Sequence, residues 1–251
     1  MSQLVSRLSG IEKAVIAGSL VVATFLVIDP LILQSVRTLD PEARALFRSF
    51  TDLGKSGWIL ILLALAAIGI TVFRARENSF RASVAAGYTL QLLSFLFASV
   101  ALASLAGSLI KNILGRARPK FFDSLGPVEF RPFTFDYDYA SFPSGHATTI
   151  FALGTALAIL FPRARVLLIV AAGWVAATRF LIGSHYLSDA LAGGCLGFCF
   201  PYLVRDRLAA RRWLFAKKAD GTIHLRGGCL WPWMSSRIGI PALREPAGDG
   251  L

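Results

Sequence analysis

Two histidines, four cations and a carboxylate fall in three short stretches whose residue types suit a phosphate dianion. The stretch Thr178-Arg179-Phe-Leu-Ile-Gly-Ser-His185-Tyr-Leu-Ser-Asp189 has apolar sequence on both sides. Charge at the edge of a membrane-type segment costs free energy, so such residues are rare and usually functional. His185 and Asp189 are four apart, and on a helix they would share a face, one turn apart. The carboxylate could then accept a hydrogen bond from one ring nitrogen and leave the other free to act. Lys111-Asn-Ile-Leu-Gly-Arg116-Ala-Arg118-Pro119 places Lys111 and Arg118 seven residues apart. That is about two helical turns, so the two could share a face. Pro119 disfavours helix at Arg118, which sets the second cation just past the helix end. Pro143-Ser144-Gly145-His146 stands where a polar loop gives way to an apolar run. Ser144 is a good N-cap, free N–H groups at a helix start bind anions, and Gly145 lets a ligand approach the backbone.

Each stretch also has a plainer reading. The cations could be a basic rim that anchors a helix to lipid head groups. The Ser-Gly-His run could be a cap with an incidental histidine, and the His-Asp pair could merely order a turn. Together the three are harder to dismiss, because the chain has only three histidines and two of them lie in these stretches. Arginine's planar fork suits phosphate oxygens two at a time. Two histidines supply a nucleophile and an acid for the leaving group. Charge stabilisation is expected from cations and backbone, with no metal and no cofactor: the sequence has no Gly-rich nucleotide loop, paired-carboxylate cage or His-Glu zinc motif.

The elements that must hold these stretches are membrane helices. The chain of 251 residues is 55% hydrophobic and 16% charged, with a mean hydropathy of +0.61. A soluble domain carries about 25% charged residues. The apolar runs predict an all-α integral membrane protein, a six-transmembrane-helix bundle with a polar catalytic loop, 112–142, between helices 3 and 4. The helices are expected at 14–36, 57–73, 83–110, 144–161, 166–182 and 185–204. The run at 14–36 is long for a signal-peptide core and shows no small-x-small cleavage site before Asp29-Pro30. A short interfacial helix is expected within 37–56. Residues 1–204 form the expected membrane domain and 205–251 a basic tail with little core, although Trp231 and Trp233 could touch the interface. Cys195 and Cys199, four apart in an apolar helix, and Cys229 in the tail support neither a disulfide framework nor a zinc site.

The net charge of +11 reads here as membrane topology, not as nucleic-acid binding. With both termini and the 74–81 and 162–165 turns on one side, that side has 16 basic and 6 acidic residues against 10 and 9 on the other. The positive-inside rule then puts both termini in the cytoplasm and the three stretches on the opposite face.

The three stretches, in this order and spacing, resemble the tripartite signature of the type 2 phosphatidic acid phosphatase family, membrane lipid phosphatases related to vanadium haloperoxidases. The motif residues span 111–189, and Thr178 stands where the family usually has Ser. The resemblance implies that His185 attacks phosphorus to form a phosphohistidine and that Asp189 orients it. It implies that His146 protonates the leaving oxygen and then activates water. Lys111, Arg118, Ser144, Gly145 and Arg179 would hold the phosphate oxygens. Arg116 lies outside the signature and is expected near head-group charge. The loop acids Asp123, Glu129, Asp136 and Asp138 are odd neighbours for an anion, and are expected to pair with Arg116, Lys120 and Arg131.

The expected function is hydrolysis of a lipid phosphate in the bacterial inner membrane, with a periplasmic site and membrane lipids as surroundings. Candidate substrates are phosphatidic acid, phosphatidylglycerol phosphate, undecaprenyl pyrophosphate and lipid A phosphate. Two alternatives stand beside it: a phosphotransferase that passes the phosphoryl group to another lipid, and a non-enzymatic lipid-binding or transport protein.

Overall fold

The structure, a computed structural model, describes residues 9–226. Cys229, Trp231 and Trp233 lie outside the described residues. Helix α1 (Gly10–Ala23) opens on a capping box: Ser9 accepts from the Glu12 amide and the Glu12 carboxylate accepts from the Ser9 amide. The first expected span is not one regular helix. A π turn at Thr24–Ile28 separates α1 from α2 (Asp29–Arg37), and Asp29 is buried. Helix α3 (Pro41–Thr51) falls within the stretch where a short helix is expected, with Asp40 as N-cap and Pro41 at its first position.

Helices α4 (Ser56–Arg76) and α5 (Phe80–Leu114) follow, then a single turn α6 (Phe122–Leu125) within the polar loop. Helices α7 (Gly145–Leu160), α8 (Arg165–Leu181) and α9 (Leu187–Ala210) complete the helical part. Among the described residues, α4, α5, the segment Pro162–Leu181 and α9 are long and apolar enough to cross a membrane, while α7 is apolar but shorter. The 35 residues of α5 would extend about 50 Å, beyond the ~30 Å hydrocarbon core. Helix α4 buries only Ile59 and turns Ile61, Leu62, Leu65 and Ile68 outward. An outward apolar face is unfavourable in water and suits lipid.

Two compact units divide the chain. The first comprises Met1–Leu62 and Leu96–Leu203 and contains all three motif stretches. Its core is built from small residues: Ala147 of α7, Ala176 of α8 and Ala190 of α9 cluster under Ile150, Phe151 and Phe180. Lipid gives no hydrophobic drive between helices, so close backbone packing must supply the attraction. Gly193 and Gly197 of α9 provide it, four residues apart on one face. A Cβ at Gly193 would collide with the Ser144 carbonyl, and one at Gly197 with the Thr148 carbonyl. This pair sets α9, which carries Asp189, against the start of α7, which carries His146.

The second unit comprises Leu63–Phe95 and Val204–Leu251. Helix α9 continues past Val204, and an antiparallel hairpin follows, β1 (Phe215–Lys217) with β2 (Ile223–Leu225). Leu214 and Phe215 are buried, and the Phe215 ring meets Phe95 edge-on at 5.0 Å. The expectation of a tail with little core therefore fails for residues up to 226. The expected loop between helices 2 and 3 is a tight turn in which Arg74 donates to Ser83 at 3.4 Å.

Overpacking a close helix contact costs about 1–3 kcal/mol, and more when backbone must move. Gly197→Leu is expected to lower the thermal midpoint in detergent by several degrees. Gly69→Ala, where a Cβ would meet nothing within 4 Å, should leave it unchanged or raise it. Equal midpoints for the two variants would contradict the packing described.

Candidate active site

The first arm is made by ending a helix. Gly115 follows the last residue of α5 and donates to the Lys111 carbonyl at 2.9 Å. Its φ is +63°, and a Cβ there would collide with the Arg131 carbonyl, so only glycine fits. The chain then runs extended beside Phe130, with Arg131 N donating to Gly115 O at 2.7 Å and Ala117 N to Glu129 O at 3.0 Å. Arg118 has φ −76° and ψ 159°, the extended conformation Pro119 demands. The spacing from Lys111 to Arg118 is thus one helical turn and a strand, not two helical turns. Arg118 donates from Nε to the Tyr137 carbonyl (2.9 Å) and from Nη1 to the Ser184 carbonyl (3.1 Å), with its guanidinium 3.8 Å from the Tyr137 ring centre.

The second arm is a helix start. Ser144 caps α7, accepting from Ala147 N at 3.5 Å, and its own amide donates to the Asp189 carbonyl at 2.9 Å. A Cβ on Gly145 would lie 3.3 Å from Lys111 Nζ, so the ammonium stands against the free amides at the helix start. His146 follows at once, and its Nε2 is buried without a hydrogen-bond partner. Gly54, past the end of α3, faces it: a Cβ there would come within 2.9 Å of His146 Cβ.

The third arm is the turn from α8 to α9. The Arg179 carbonyl accepts from Ser184 N (3.1 Å) and His185 N (3.3 Å), which fixes the distance from the arginine to the histidine. Arg179 donates to Thr51 Oγ1 at 2.8 Å, while its Nε is buried and unpartnered. Thr178 Oγ1 donates to the Val175 carbonyl at 2.6 Å, so this hydroxyl serves its own helix.

His185 precedes the first residue of α9, so it and Asp189 are not one helical turn apart on a helix face. Its Nδ1 lies 2.8 Å from the Ser141 carbonyl and 3.7 Å from Asp189 Oδ2. The nearer partner is therefore the carbonyl, an acceptor only. Nδ1 must carry the proton, which leaves the Nε2 lone pair available. Asp189 acts one step back: Oδ2 accepts from Ser141 Oγ (2.5 Å) and Tyr186 N (2.9 Å). Burial pulls the His185 pKa down to about 4; Asp189 opposes this, and Arg118 and Arg179 reinforce it. The ring is neutral at ordinary pH, as a nucleophile requires.

Lys111, Arg118 and Arg179 act electrostatically on one another, and Lys111, Arg179 and His185 on His146. The structure thus brings together all eight residues singled out in the sequence. Arg116 is the exception to expectation. It is fully buried and sits at ion-pair distance from Asp29 (3.0 Å) and Asp189 (2.5 Å), far from any head-group role. The loop acids do find cations: Lys120 with Asp138 (2.6 Å), Arg131 with Glu129 (3.6 Å) and Arg37 with Asp123 (2.7 Å). Asp136 accepts from Asp138 N at 2.9 Å and caps its own turn. Sequence reasoning missed Ser141, Thr51 and Asp29. Only Asp29 left a signal, a carboxylate inside an apolar run.

Residues 92–213 match the PAP2 superfamily. The lipid A 1-phosphatase of Rhizobium etli is 37% identical over 197 residues, covering 78% of this chain and 80% of that protein. The lipid A 1-phosphatase of Rhizobium johnstonii is 36% identical over 172 residues, covering 68% and 70%. Among solved structures, the PAP2-type phosphatidylglycerolphosphate phosphatase of Bacillus subtilis superposes with a TM-score of 0.54 at 19% identity, over 78% of this chain and 94% of that one. Aquifex aeolicus LpxE gives 0.51 at 18%, over 71% and 95%. At such identity these two structures speak to fold alone, and the fold they share with this chain is a bundle of membrane helices. The sequence relatives carry the likeness across most of both chains, and with them this integral membrane protein belongs to the PAP2 superfamily.

Proposed function

We propose that the chain is a membrane lipid phosphatase acting through a phosphohistidine on His185. The observation that carries this reading is the state of His185. It is buried and fixed by a carbonyl at Nδ1, and the cations Arg118 and Arg179 together with burial hold its pKa down. Nε2 forms a bond to phosphorus as the bond from phosphorus to the lipid oxygen breaks. The bound phosphate dianion offsets the cations around His146, which takes up a proton from solvent to become imidazolium and gives its Nε2 proton to that oxygen. Water then attacks the phosphohistidine, His146 takes a proton from it, and phosphate leaves with Nε2 restored. Lys111, Arg118, Arg179, the Ser144 cap and the Gly145 amide hold the equatorial oxygens, where charge accumulates. Asp189 holds the carbonyl that orients His185. No metal enters this scheme.

Among the four candidate lipids, the 1-phosphate of lipid A is favoured. The sequence relatives named for it are 37% and 36% identical, whereas the phosphatidylglycerolphosphate phosphatase shares 19%. We assign the site to the periplasmic face of the inner membrane, with both termini cytoplasmic and a membrane domain ending near 204. The charge asymmetry of the connecting turns supports this orientation.

A head-to-head assay of lipid A, phosphatidic acid, phosphatidylglycerol phosphate and undecaprenyl pyrophosphate, with EDTA present, is expected to show fastest release from lipid A. Loss of activity in EDTA would overturn the metal-free scheme, and product appearing on an added acceptor lipid would make the protein a transferase. A cytoplasmic reporter fused at the C-terminus should be active. His185→Ala should lower phosphate release by on the order of 10⁴-fold or more in a folded protein. It should also abolish an acid-labile phosphoenzyme seen with wild type; retained turnover would refute the nucleophile.

The depressed pKa of His185 also has a sign in stability. The unfolded chain protonates this ring near its usual 6.5 and the folded chain only near 4. Between these values the unfolded state binds more protons, so stability is lost as pH falls from about 6.5 to about 4. His185→Ala should remove part of that slope in thermal melts. An identical slope in both proteins would contradict a neutral, buried ring.

A further inference from the structure

We propose that Asp29 and Arg116, which the phosphate-site signature does not include, are positioning residues for His185. The inference rests on His185 being the nucleophile. Arg116 has no exposed surface, yet its guanidinium meets two buried carboxylates. One Nη donates to Asp189 Oδ1 at 2.5 Å and Ser188 Oγ at 2.8 Å. The other donates to Asp29 Oδ2 at 3.0 Å and the Pro127 carbonyl at 3.3 Å. The rings of Phe25 and Tyr186 lie 4.2 and 4.0 Å from its central carbon and fix its plane. Asp29 is held in turn by Ser188, whose amide and hydroxyl donate to it at 2.9 and 2.5 Å.

This cluster leads to the imidazole by two routes. Through its side chain, Arg116 fixes Asp189, whose other oxygen accepts from Ser141 Oγ. Through its backbone carbonyl, Arg116 accepts from Ser141 N at 3.1 Å. Both routes end on Ser141, and the Ser141 carbonyl is the group that holds His185 Nδ1. Asp29 reaches across from the start of α2 to steady the far side of the guanidinium. A buried ion pair is a poor device for stability alone, because apolar residues of the same volume often serve as well. Two carboxylates on one buried arginine are better explained by what they aim. A small rotation of Arg116 would shift the Ser141 carbonyl and turn the ring away from in-line attack, and errors of about 1 Å can cost a hundredfold in rate.

The test uses the full chain in detergent, on whichever of the four lipid phosphates named above wild type turns over fastest. Asp29→Asn keeps shape and removes the charge. It is expected to lower kcat at least tenfold per folded molecule while KM stays within about twofold, since neither Asp29 nor Arg116 meets substrate. Arg116→Lys, which loses the planar fork, should fall further. Ser188→Ala removes one hydroxyl shared by Asp29 and Arg116 and should lower kcat severalfold; it decides the matter if Asp29→Asn does not fold. The proposal is overturned if Ser188→Ala and any folded Asp29→Asn keep kcat within twofold of wild type while His185→Ala is inactive. It is equally overturned if the loss appears in KM or in folded fraction alone. Turnover by His185→Ala would instead defeat the nucleophile assignment.

Discussion

A buried guanidinium must replace its lost hydration with fixed acceptors, and Arg116 is where this constraint is most severe: both amino groups are satisfied, and only Nε is left without a partner. Its two amino groups take four acceptors from three separate parts of the chain: Asp29, Pro127, and the Ser188-Asp189 pair. Those contacts cannot form unless the start of α2, the polar loop and the start of α9 all converge. Removing one partner of such a pair strands the other charge, at a cost of about 3–5 kcal/mol. The loop from 115 to 141 thereby becomes part of the scaffold, anchored at Arg116 and Ser141.

Small residues allow that convergence. Gly193 and Gly197 let α9 reach the backbone of α7, and Ala147, Ala176 and Ala190 fill the space between the helices. The result is a site whose reactive groups sit on helix ends and turns while the helix bodies stay apolar. This division suits a bilayer. Backbone groups within the hydrocarbon are satisfied by the helices, and free amides occur where an anion can use them. The acids of the polar loop also have partners of their own. Asp123, Glu129 and Asp138 are already paired with nearby cations.

The His-Asp relation has a less direct form than the spacing suggests. Asp189 holds Ser141, and Ser141 presents its carbonyl to His185. A neutral acceptor at Nδ1 fixes the tautomer, with the Asp189 carboxylate standing off at 3.7 Å. Burial, reinforced by Arg118 and Arg179, disfavours protonation of the imidazole.

The sequence by itself determined the membrane class and most helix positions, and singled out the residues that the fold gathers in one place. Those properties are written in local terms: apolar run length, a Ser before a helix, a Pro after an arginine, and motif spacing. It also placed a short helix within 37–56, where charged residues interrupt the apolar runs. The tertiary structure decided what long-range contacts decide. It showed that Lys111 and Arg118 are joined by a helix end and a strand, since Gly115 packs against Arg131, a residue distant in sequence. It turned Arg116 from a surface charge into the buried centre of the site, because only the fold brings Asp29 to it. It set Ser141 between Asp189 and His185. Periodicity and propensity describe neighbours along the chain, whereas a buried charge is defined by partners that folding brings from far away.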